Sequence, residues 1–403
     1  GGDAKARSGV FWFTFRQGLT DHLDQLLYAL AWFLHEQGVS GLWLYLNTNP
    51  DKFSGGGALT ILRQNLAELT AAPPLLCFDE VDLLLGEGLH DSAAHAAIRA
   101  FLDDLLHFAH GHIPVLLIGQ KLLTEPQPDA LFVLAPFAAD TLAAFLGRAQ
   151  VQLEPIQQAH LLRFTRGNPL LLRLFLALQQ RDASLVESLE TMQTPAALDW
   201  LLLRLRPHLT RQEVTLLHEL AVFQDAAPRD IWRNHKALQS LQTLGLVAAV
   251  GTGMVALHPA LQQLLYGQIP PTQRITLHLA AAQALAERGR FTRAAWHYIQ
   301  GGRPELAVWS WYSHRQQEME QGQASATLDL FLPLVQQALP TADDERALAL
   351  LLAPLLARAG RAQEGLALLE RTTWPSESPT GTFAHEARGE LLAELGDIDR
   401  SLA

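Results

Sequence analysis

The stretch PPLLCFDEVD, residues 73 to 82, carries an apolar run straight into Asp79 and Glu80, with Asp82 close behind. Adjacent acids in that position suit phosphoryl transfer, where one carboxylate holds magnesium through water and its neighbour orients the attacking water. They equally suit a strand that meets solvent and turns. Other side chains offer less. His107, His110 and His112 lie near Asp103 and Asp104 in a spacing that could bind zinc, and a solvated helix end accounts for them as well. His258 follows the apolar run VAL, where a lone histidine is often only structural. Cys77 sits inside the apolar run and reads as a buried, inert thiol. The spacing supports no Ser/His/Asp or Cys/His arrangement.

The elements that must position the two acids are short apolar runs separated by helical patterns. VFWFTF (10–15), PPLLCF (73–78), IPVLLIG (113–119) and ALFVL (130–134) read as strands. Between them lie the helical patterns DHLDQLLYALAWFLHEQG, capped by Thr20, then LTILRQNLAEL and AAHAAIRAFLDDLLHFAH. This alternation predicts one mainly parallel α/β sheet with Asp79 and Glu80 at its carboxyl edge, where open α/β folds bind ligands.

Strand patterns cease from about residue 138, and three short helices fill 138–207. Residues 208–270 open with Thr210 and Glu213 spaced as a capping box. The helix KALQSLQTLGL and the strands VAAV and MVALH around GTG then complete a winged-helix pattern. Residues 271–403 are helical throughout. Glycines 289, 322, 360 and 396 recur at intervals of 33, 38 and 36, near a tetratricopeptide period of about 34. Small residues stand five positions after them (Ala294, Thr327, Gly365, Ser401) and seven before (Ala282, Ala353, Gly389), Arg315 alone breaking the pattern. The fold class is an α/β parallel-sheet core (1–137), an all-α lid (138–207), a winged helix (208–270) and an α-solenoid of TPR-like repeats (271–403).

With 403 residues, 49% of them hydrophobic, the chain can build several cores. A net charge of -11 disfavours the broad basic surface of a nucleic-acid binder. Cys77 is the only cysteine, so no intrachain disulfide can form and a reducing compartment is the simplest reading. No apolar run approaches the ~18 to 20 residues of a membrane span. The sequence reads as a cytoplasmic protein without membrane attachment. Its GGDAKARSG start lacks an apolar signal core, and GDIDRSLA stops within a helical pattern, so a fragment of a longer chain is expected.

Taken in order, PPLLCFDEVD, IPVLLIG, TRGNPLLL and VALHPALQQLLY, followed by the helical repeats, resemble STAND-type signalling ATPases, relatives of the AAA+ branch of P-loop NTPases. The resemblance spans nearly the whole chain; each motif is short, and only the ordered set is specific. It implies that Asp79 and Glu80 are the catalytic Walker B acids, with Asp79 holding magnesium through water. It implies a sensor position at Gln120, beside Lys121. It matches the adenine-packing glycine-proline motif to Gly167, Asn168 and Pro169, and a diphosphate-contacting histidine to His258, in LHP where many relatives have MHD. ATP or ADP with magnesium are the implied cofactors. The family's phosphate loop, G-x-x-x-x-G-K-[ST], should precede VFWFTF by roughly 25 residues and is not in this sequence. GGDAKAR offers Lys5, but Ala6 stands where Ser or Thr is required. The resemblance places the missing strand between the Walker B and sensor strands, so the sheet is expected to lack its centre.

The expectation is one part of a nucleotide-controlled switch whose repeats sense a protein or peptide partner, with a nucleotide-dependent homo-oligomer in the intact parent. This chain alone is expected to bind ATP weakly, and to act as an ATPase only where a longer parent supplies the loop. Two alternatives stand beside it. One is a TPR-type protein-binding scaffold on a nucleotide-free core. The other is a winged-helix transcription regulator, although HKALQSLQTLG brings one lysine and no arginine to phosphate contacts.

Overall fold

The computed structural model describes residues 9–48, 55–69, 73–85, 93–110, 112–121, 131–190, 197–223, 225–232, 235–251, 253–375 and 379–397. Lys5 and Ala6, the first residue of ALFVL and Ser401 lie outside them. The chain forms two compact units, one of residues 1–127 with 285–403 and one of 128–284.

In the first unit, β1 (Val10–Thr14), β2 (Leu75–Asp79) and β3 (Val115–Ile118) form a parallel sheet in the order β1-β2-β3. Its helices are α1 (Leu23–Glu36), α2 (Gly41–Thr48), α3 (Gly55–Glu68) and α4 (Ala93–Ala109). The core joins Phe11, Phe13 and Phe15 to Phe78, Leu26, Leu30 and Leu102. Leu76, Cys77 and Phe78 of β2 are all buried, as expected of a central parallel strand. Burial raises the Cys77 thiol pKa, and Asp79 adds to the rise.

Two expectations about this sheet need correction. No gap separates β2 from β3: Leu76 pairs with Val115 and Asp79 with Ile118, so in this chain the two strands are direct neighbours and the sheet does not lack its centre. Residues 131–134 of ALFVL are not a strand either; Phe132 and Leu134 are each 84% exposed. A strand needs a hydrogen-bonded neighbour, and the apolar composition of this run does not supply one. Thr20 is not the cap of α1: its Oγ1 donates to the Thr14 carbonyl at 2.7 Å, and His22 occupies the N-cap position.

The same unit holds the repeats α13 (Phe291–Gln300), α14 (Pro304–Tyr312), α15 (Arg315–Glu320), α16 (Ala324–Phe331), α17 (Ala342–Arg358), α18 (Ala362–Arg371) and α19 (Pro379–Glu394). Gly289, Gly322, Gly360 and Gly396 all take positive φ in the turns after helices, which explains their recurrence. A Cβ on Gly365 would stand 2.9 Å from the Ala353 carbonyl oxygen, so α17 and α18 pack at backbone contact. Where Arg315 breaks the small-residue pattern, α15 has only six residues.

The second unit contains α5 (Ala139–Arg148), α6 (Pro155–Thr165), α7 (Pro169–Gln179) and α8 (Ala197–Leu205). After them come α9 (Arg211–Ala221), β4 (Ala227–Pro228), α10 (His235–Thr243), the antiparallel hairpin β5 (Val247–Val250) and β6 (Met254–Leu257), α11 (Pro259–Gln268) and most of α12 (Pro271–Ala286). The hairpin turn places Gly251 and Gly253 at positive φ. Thr210 and Glu213 form the expected capping box at the start of α9.

Candidate functional site

β2 delivers Asp79 to the carboxyl edge of the sheet, and both Asp79 and Glu80 are half-buried there. Glu80 has φ of 59°, a left-handed conformation rare outside glycine. Such a conformation costs on the order of 1 to 3 kcal/mol and persists where its surroundings impose it. Here the Glu80 N–H donates to Asp79 Oδ1 at 3.0 Å, and the Phe15 N–H donates to the Asp79 carbonyl at 3.0 Å. Arg16 Nη1 lies 3.7 Å from Glu80 Oε1. The sequence reading missed Arg16, although its place directly after VFWFTF puts it at the same edge.

Asp82 ties this edge together. Its Oδ1 accepts from the Gln120 N–H at 3.1 Å, and a Cβ on Gly119 would come within 2.6 Å of that oxygen. Gln120 therefore sits beside the acids through its backbone, with an exposed residue surface. Asp79, Glu80, Asp82, Arg16 and Gln120 form one polar edge. Among the described residues no cluster of three His, Cys, Asp or Glu is placed to hold a metal directly, so the zinc alternative finds no geometry there. Asp79 suits magnesium held through water. The phosphate half of such a site has no counterpart among the described residues: no strand-to-helix turn there has the glycine-rich loop with its lysine and hydroxyl.

The start of α1 holds a second polar group that the sequence reading passed over, though TDHLDQ is dense in carboxylates. His95 Nε2 of α4 lies 3.3 Å from Asp21 Oδ2, and His22 Nε2 lies 3.2 Å from Asp329 Oδ2. Asp24 Oδ2 accepts from the Ser325 N–H at 3.0 Å. The α/β layer thus joins the repeats through charged and polar contacts.

The remaining motif residues lie in the second unit and have local structural roles. Gly167, at φ 69°, packs on Phe137 so closely that a Cβ would meet its carbonyl oxygen at 2.4 Å. Asn168 caps α7, its Oδ1 accepting from the Leu170 N–H at 2.9 Å, and Pro169 opens the helix. His258 caps α11 through Nδ1, which accepts from the Ala260 N–H at 3.3 Å. Burial and then the nearby Arg173 of α7 lower its pKa. Through Arg173, His258 lies near the helix that Pro169 begins.

His218 and His278 are lowered as well, His278 to about 4, by burial first and then by Arg274. A histidine with a lowered native pKa binds its proton better unfolded. Its contribution is therefore full above its ordinary pKa and is lost as pH falls towards the native value. For His278 that window runs from about 6.5 to about 4 and is worth on the order of 3 kcal/mol. Thermal melts between pH 7.5 and pH 4 should show this unit losing stability, and His278→Gln should flatten the profile. A profile unchanged by the substitution would contradict the assignment.

Known protein-family profiles give no match to this chain, and neither do curated protein sequences. The solved structure of a Signal Transduction ATPase with Numerous Domains (STAND) protein with a tetratricopeptide repeat sensor, from Pyrococcus horikoshii, does match. It aligns over 99% of this chain with a TM-score of 0.73 and 15% sequence identity. This chain spans 58% of that protein's length. At that identity the likeness is one of fold.

Proposed function

We propose that this chain is part of a STAND-type regulatory switch, in which nucleotide state sets conformation and the repeats sense a protein or peptide partner. The observation that carries the reading is the extent of the fold match, 99% of the chain, to a protein of that description. The paired acids at the sheet edge support it. Asp79 would hold magnesium through water, and Glu80, restrained by Arg16 and an imposed backbone, would orient the attacking water. His258 and the Gly167–Pro169 turn would link nucleotide state to the position of the winged-helix region. A ligand biases a switch only by binding one form better than the other, and these local caps are small enough in energy to be exchanged for phosphate contacts.

The test uses the chain extended at its amino terminus through a phosphate loop. There Glu80→Gln should slow ATP turnover about a hundredfold, the size of a typical general-base contribution. It should leave nucleotide affinity within about threefold, because the amide keeps the shape and removes only the carboxylate. Unchanged turnover would remove Glu80 from the chemistry. A second reading, a partner-binding scaffold on an inert core, draws on the separate, continuous core of the repeats, from Phe291 to Leu392. It predicts partner binding that nucleotide does not alter.

A further inference from the structure

Between α9, the chain that follows β4 and α12, the second unit holds a pocket of about 470 Å³. Its walls are apolar and aromatic. Leu216 and Phe223 form one side, Ile231 and Trp232 a second, and Leu277 and Ala281 of α12 a third. The rings of Phe223 and Trp232 meet edge to face with centroids 6.0 Å apart. Small-molecule sites have volumes in this range and pair such walls with a few placed polar groups.

Glu219 of α9 is the polar group here. It lines the pocket half-buried, and Trp232 Nε1–H donates to its Oε2 at 2.7 Å. Its Oε1 accepts from no described residue and stays open to solvent, so a ligand can reach it. No described lysine, arginine or histidine forms an ion pair with it. Burial raises its pKa, and the Trp232 hydrogen bond offsets only part of the rise. Glu213 on the same helix shows the contrast: Arg181, Ser240 and Thr210 satisfy it and hold its pKa at about 2. A carboxylate in apolar surroundings without a countercharge is costly, and a cationic ligand would supply that charge. Among the described lining residues the other charged side chain is Arg211, exposed at the start of α9. It stands about 12 Å from Glu219 along the helix. Salt screens it at that distance, so Glu219 sets the sign at the aromatic end. An open carboxylate oxygen calls for an N–H donor, which a quaternary ammonium lacks.

We propose that this pocket binds a small primary ammonium with an apolar or aromatic body. Its N–H groups donate to Glu219 Oε1, and its body lies against Phe223, Trp232 and Leu277. Occupancy would brace α12 against α9. It does not depend on the nucleotide chemistry proposed for Asp79 and Glu80.

Calorimetric titration of this chain with tryptamine tests it, with tryptophol as the uncharged counterpart and indole-3-propionate as the anion. Tryptamine should bind one site per chain, about tenfold or more tighter than either. Glu219→Gln keeps an oxygen for Trp232 and removes the charge. It should weaken tryptamine about tenfold and leave tryptophol within about twofold. Ala280→Trp, at an exposed position of the lining, should block tryptamine and tryptophol alike. Arg211→Gln should leave tryptamine within about twofold. Melting temperatures no lower than that of the unaltered chain would show the variants folded. Glu80→Gln should leave these titrations untouched, separating this pocket from the acidic edge. Absence of tryptamine binding at about 1 mM overturns the proposal. So does tighter binding of indole-3-propionate, or tryptamine binding that Glu219→Gln does not alter.

Discussion

Glu213→Ala is expected to destabilise the 128–284 unit by about 3 to 5 kcal/mol, the cost of breaking a buried charge pair from one side. Glu213 is 2% exposed. Its Oε1 lies 3.1 Å from Arg181 Nη2 and accepts from Ser240 Oγ at 2.6 Å. Its Oε2 accepts from the Thr210 N–H at 2.7 Å. Burial alone would raise its pKa, but the hydrogen bonds from Ser240, Thr210 and Arg181 hold it at about 2. One carboxylate therefore joins the end of α7, the start of α9 and the middle of α10. Alanine would leave Arg181, Ser240 and the Thr210 N–H without their shared acceptor. For a unit of this size the loss corresponds to a fall of about 10 °C in melting temperature. Glu213→Gln, which keeps volume and some hydrogen bonds, should lie between the two. A fall of less than about 2 °C for the alanine variant would show that the network is not what secures these helices.

The parallel sheet was legible because its three strands are short and apolar, the middle one buried on both faces, with helical patterns between them. VFWFTF, PPLLCF and IPVLLIG all became strands in mutual register. ALFVL has the same local composition and did not. Composition reports suitability for a sheet, whereas pairing needs a neighbour that no local pattern encodes. The expected gap at the sheet's centre came from the resemblance, and in this chain Leu76 pairs directly with Val115. The repeats were legible through glycines 289, 322 and 360, because a left-handed turn and a close helix approach each leave few residue choices.

The acids at the sheet edge were visible as soon as PPLLCF was read as a strand. Their supports were not. Arg16 and Asp82 reach Glu80 and Gln120 only through the lateral pairing of β1, β2 and β3. Gln25 reads as part of an apolar helix, and its hydrogen-bond partner Gln323 stands 298 positions away in the chain. Asn168 and His258 were visible as motif residues, while their capping bonds depend on the local helix starts.

Nucleotide affinity should divide sharply between this chain and one extended through a phosphate loop. The described acids can assist magnesium, but they repel a bare triphosphate. The loop's amides and lysine would supply several charge-assisted hydrogen bonds of about 1.5 to 3 kcal/mol each. Three at the lower figure amount to a difference of about a thousandfold or more in dissociation constant. Calorimetric titration of Mg-ADP into both chains measures that difference directly. The account predicts binding weaker than about 1 mM for residues 1–403 and micromolar binding for the extended chain. Micromolar binding by residues 1–403 alone, or none by the extended chain, would contradict it.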